Sequence, residues 1–152
     1  MSTIPNITLA FSNLAGLVPL YRSLQKSNPV YTWFIAGVMS ASFLHHLTET
    51  NEMGHMLRGV CIPGIGKYGK QIRYWDMAMA YSFFGYIVWH KGIKNICRLV
   101  VDNGIVLSLS LACSFSCDYV IHSRPVLYTA LHLPWHMGIY YIIYKIVDDE
   151  EK

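Results

Sequence analysis

Residues 126–147 read VLYTALHLPWHMGIYYIIYKIV, an apolar run whose one basic residue, Lys145, stands near its far end. A bilayer core takes about twenty such residues in helical form, so this stretch predicts a membrane-crossing helix. Two histidines, His132 and His136, lie in its first half. They are spaced i, i+4, which puts them on one helix face. Pro134 stands between them. It lacks the N–H that would bond the Ala130 carbonyl and predicts a kink, tolerable at membrane depth only where protein or water satisfies the freed group.

Working outward, four more apolar blocks appear: 104–121, 74–90, 30–47, and a weaker 4–21 diluted by Asn13 and Pro19. The chain of 152 residues is 53% hydrophobic and 14% charged, with a mean hydropathy of +0.31. Soluble domains carry closer to a quarter charged residues. The expected fold class is therefore all-α: one domain, 1–152, a polytopic transmembrane helix bundle of about five spans. A connecting loop is expected at 48–73 and an acidic tail at 148–152. Between the third and fourth spans, Ile93, Ile96, Cys97 and Val100 recur at helical spacing while Lys91, Lys94 and Arg98 take the other side. This predicts an interfacial amphipathic helix over 91–103 or an extension of the fourth span.

The net charge of +3 is spread between the apolar blocks rather than gathered in a stripe, which argues against a nucleic-acid partner. Positive charge orients the chain only slightly. Arg22, Lys26, Lys91, Lys94, Arg98, Lys145 and Lys152 would share one side, against Arg58, Lys67, Lys70, Arg73 and Arg124 on the other. The rule that basic loops stay inside favours an outside or lumenal N-terminus and a cytoplasmic C-terminus. No cleavable leader is expected, because a basic segment ahead of the first apolar block is missing. Of Cys61, Cys97, Cys113 and Cys117, none form a C-x-x-C pair, and Cys113 and Cys117 read as packing residues inside an apolar block. The run Gly64-Ile-Gly-Lys-Tyr-Gly69-Lys70-Gln71 resembles a phosphate loop. Gln71 stands where a Mg²⁺-binding hydroxyl is needed, so the run reads as a basic loop.

Polar residues inside the apolar blocks are the candidate site. Ser42 and His46 share one face late in the second span, Asp76 opens the third, and His132 and His136 lie early in the last. Alternating spans bring all five beneath the same membrane face. A charge in hydrocarbon is unfavourable by about 2.5–3.5 kcal/mol on insertion scales, so such groups usually have partners and functions. Three histidines leave one tetrahedral position of a Zn²⁺ open for water. A carboxylate outside the ligand set, Asp76, is then suited to take the water's proton, and Ser42 to orient the water or bond a developing oxyanion. Plainer readings exist for each residue. Seven histidines in 152 residues make an i, i+4 pair common by chance, His45 competes with His46 as the ligand, and Asp76 also suits pairing with Arg73. Asp118 either lines a water-filled approach to the site or marks the end of the fourth span.

Ser42-x-x-x-His46, Asp76 and His132-x-x-Trp135-His136, in that order, resemble the three-part signature of the CREST superfamily of membrane hydrolases. That group includes alkaline ceramidases, progestin and adiponectin receptors and myomaker-like proteins. The resemblance implies Zn²⁺ on His46, His132 and His136, with Asp76 and Ser42 beside an activated water. It also implies a membrane lipid substrate cleaved at an amide or ester. The chain departs from that family in having about five spans instead of seven and a long connection carrying Glu49, Glu52 and His55. The expectation is a zinc-dependent lipid amide or ester hydrolase. The alternative is a non-catalytic membrane protein with a structural metal site, acting through partners or in membrane remodelling. A transporter ranks third, since no inverted repeat is visible.

Overall fold

The computed structural model describes residues 4–48, 68–120 and 125–149, all but a few of them helical. Most of the expected connecting loop, with Glu49, Glu52, His55 and Cys61, lies outside the described residues, as do His122, Arg124, the end of the acidic tail, and the side chains of Cys117 and Asp118.

The first apolar block folds as α1 (Ile4–Ser12), a 3₁₀ turn (Asn13–Gly16) and α2 (Leu17–Gln25). The tightening falls where Pro19 cannot bond the Ala15 carbonyl, and the Leu17 N–H instead reaches the Leu14 carbonyl, i−3. α2 ends in a Schellman turn: Asn28 N–H donates to the Ser23 carbonyl and Ser27 N–H to that of Leu24. Ser27 occupies the left-handed position usually held by glycine, at φ 52°. The chain then re-enters helix at once, because the Asn28 Oδ1 caps the Tyr31 N–H at 3.1 Å and Pro29 fits the first helical position.

α3 (Pro29–Thr48) and α4 (Gly69–Lys91) pack antiparallel, with Tyr31 against Phe83 and His90. α4 begins five residues before the expected span, so Gly69 and Lys70 of the would-be phosphate loop are helical. Gly92, at φ 76° and ψ 150°, a conformation essentially reserved for glycine, turns the chain into α5 (Ile93–Asp102). α5 and α6 (Gly104–Val120) meet at 89°. Of the two expectations for 91–103, this rules out a straight extension of the fourth span. α6 then packs antiparallel on α7 (Pro125–Asp148), where Gly138 faces Ser110. α7 stays helical through Pro134.

The segment α1–α2 runs parallel to α7, with Ser12 meeting His136 at one end and Arg22 meeting Asp148 at the other. Two antiparallel pairs, α3–α4 and α6–α7, are thus bridged along one side by α1–α2. Tyr31, Ile35, Phe83, Ile87, Tyr140 and Ile143 belong to the buried core. Among the described residues no single helix is both long and apolar enough to cross a membrane, and only the bent pair α5 and α6 passes together. The physical reason is composition: serine, histidine and tyrosine are scattered through α3, α4 and α7, lowering their hydropathy without shortening them.

Candidate metal centre

α3 delivers His46 in its last turn and α7 delivers His132 and His136 in its first half. The Nε2 atoms of His46 and His136 are 3.3 Å apart, and those of His132 and His136 are 3.1 Å apart. Candidate ligand atoms of all three lie within 4.8 Å of one another, forming a group able to hold a metal ion. His46 and His136 are 2% and 5% exposed, and His132 is half-buried.

A residue of the first helix sets the tautomer of the central ring. The Ser12 hydroxyl donates its only proton to the Leu9 carbonyl at 2.6 Å. The 2.5 Å contact between Ser12 Oγ and His136 Nδ1 is therefore donated by the imidazole. With its proton on Nδ1, His136 presents a bare lone pair on Nε2 to the other two rings. Two zinc–nitrogen bonds of about 2.0–2.1 Å at a tetrahedral angle set the nitrogens about 3.3–3.4 Å apart. The two separations from His136 Nε2 lie close to that spacing, and holding the far ring nitrogen is the usual task of an outer hydrogen bond at a metal site.

Ser42, His45, His46, Asp76, His132 and His136 line one cavity of about 540 Å³, within the range of small-molecule sites. All five residues expected from sequence are therefore brought together, although the three imidazoles alone form the tight group. Ser42 is buried one turn below His46, Asp76 is half-buried, and His45 stands beside the group with its ring centroid 5.2 Å from that of His46. The sequence reading missed Ser12, Asn13 and Tyr140. Tyr140, one turn beyond His136, donates to Asn13 Oδ1 at 2.7 Å, and Asn13 Nδ2 donates to the Leu9 carbonyl at 3.2 Å. The available signal was the polar pair Ser12-Asn13 inside an apolar block. Comparison with family models, curated proteins and solved structures returned no match.

Proposed function

We propose that this chain is a membrane-embedded, zinc-dependent hydrolase that cleaves a lipid amide or ester. The observation that carries the reading is the convergence of three imidazole nitrogens at a cavity that Asp76 and Ser42 also line and that continues between apolar walls. His46, His132 and His136 would hold the metal, which would supply Lewis acidity toward water and the substrate carbonyl. Asp76 accepts the proton of the attacking water and returns it to the leaving amine or alkoxide. Ser42 donates to the carbonyl oxygen as charge develops on it. The apolar walls limit access of bulk water and strengthen these interactions.

Embedding in lipid is supported by exposed apolar side chains, Trp33 on α3 and Ile105, Leu109 and Phe115 on α6. Exposed apolar patches mark contact with a membrane or partner. The resemblance to the CREST hydrolases rests on the same site residues. A second reading, a structural metal staple, draws on the way the three rings and Ser12 tie α1, α3 and α7 together.

Metal analysis of the purified protein in detergent tests the site. About one zinc per chain is expected, lost when His132→Ala and His136→Ala are combined. Asp76→Asn is expected to keep the zinc and lower turnover of N-acyl or O-acyl lipids by at least about a hundredfold, at the low end of general-base contributions. A folded wild-type protein without metal would remove the proposal, and full turnover in Asp76→Asn would remove Asp76 from the chemistry.

A further inference from the structure

The cavity is much deeper than the metal group requires. From the histidines it follows α4 from Asp76 to Ile87 and α7 from His136 to Ile146, and α5 lies at its far end with Ile96, Leu99 and Val100 in its lining. These stretches of twelve and eleven residues correspond to about 15–17 Å of helix. That is half of a hydrocarbon core of about 30 Å, the depth reached by one lipid tail. Polarity changes along the same axis. The polar groups Ser42, Asp76 and the histidines stand at one end, whereas Phe83, Ile87, Ile143 and Ile146 line the other. A side opening is marked by Tyr81 and Phe84, which line the cavity although 69% and 61% exposed. Both lie on α4, the helix that α5 links to α6.

We infer that this slot holds a single acyl chain, its carbonyl end toward the histidines, and that α5 sets the chain length accepted. Leu99 is the stop. It packs against the core and lines the floor of the slot, on a helix held across the axis by the Gly92 turn and the 89° bend into α6. The assignment rests on the lipid reading of the site and adds to it a specificity-determining element. It commits to a tail because the walls change from polar to apolar over one tail length.

The test uses the full chain in amphipol, with a fluorescent fatty acid displaced by saturated fatty acids from octanoate to stearate. Wild-type affinity is expected to rise about fourfold per methylene up to an optimum and then stop rising. Leu99→Trp is expected to move the optimum toward shorter chains and Leu99→Ala toward longer ones, both with zinc content unchanged as the check on folding. An optimum that stays put in both folded variants, or a wild type without one, overturns the proposal. The combined His132→Ala and His136→Ala variant separates the two readings. An optimum that persists in it, and still moves with Leu99, upholds the chain-length role even if turnover is never found.

Discussion

Ser12 holds Nδ1 of His136 from a helix 124 positions away. Because the hydroxyl is already committed to the Leu9 carbonyl, it can only accept from the ring. Ser12→Ala leaves the Nδ1–H buried without that acceptor and frees the ring to change tautomer. Zinc affinity, read by competition with a chromophoric chelator, is expected to fall about 10- to 100-fold, the usual effect of losing an outer hydrogen bond. Ser12→Thr keeps the hydroxyl and is expected to restore most of it. Equal affinity in Ser12→Ala and wild type would mean that the tautomer is set elsewhere.

Between helices, small residues set the spacing that the site depends on. Gly138 lies against Ser110, and a methyl at that position would come within 2.8 Å of Ser110 Cβ, a clash that no rotamer change relieves. In bundles without a strong hydrophobic drive between helices, such small-residue contacts permit close packing. Gly138→Ala is expected to push α7 away from α6 and to destabilise the fold by about 1–3 kcal/mol, the usual range for overpacking. Thermal melting in detergent checks this, with Gly138→Ala combined with Ser110→Gly expected to recover much of the loss. Helix ends were legible to within a few residues wherever proline, glycine or asparagine punctuated the chain, as at Asn28-Pro29 and Gly92. The early start of α4 was not, because Gly69-Lys70-Gln71 has loop composition and becomes helical as the first turn of a longer helix.

Across the whole bundle, the end opposite the histidines is tied by charge. Arg22 pairs with Asp148 at 2.7 Å and Lys26 Nζ donates to the Asp148 carbonyl at 2.6 Å, a cation placed at a helix C-terminus. The Arg22 hydrogen bond holds the Asp148 carboxyl below the usual carboxylate range. A lowered value in the fold means that the tie is present above about pH 4, the unfolded value, and is lost as pH falls through the folded one. The pair is partly solvated, so the effect is small and salt-sensitive. Asp148→Asn is expected to melt slightly below wild type at neutral pH and together with it at pH well below 4, where both side chains are neutral. A gap that survives acidification would point to packing rather than charge.

Helical class and the choice of five candidate residues follow from composition and spacing, because apolar runs of helix length and an i, i+4 histidine pair are properties of the local chain. That Ser42, His46, Asp76, His132 and His136 share one cavity also follows in outline, since alternating helices return the same ends to one side. Three things depended on packing. His46 rather than His45 completes the imidazole group, because the turn of α3 against α7 selects which neighbour faces inward. Ser12 joins the site because α1 runs parallel to α7, a pairing over more than a hundred residues that leaves no periodic trace. The right angle between α5 and α6 depends on the bend at Asn103, where α5 ends and the Asn103 N–H donates to the Leu99 carbonyl. A backbone turn of that kind is set by how the joined helices pack, so the amphipathic pattern of 91–103 was equally compatible with a straight extension.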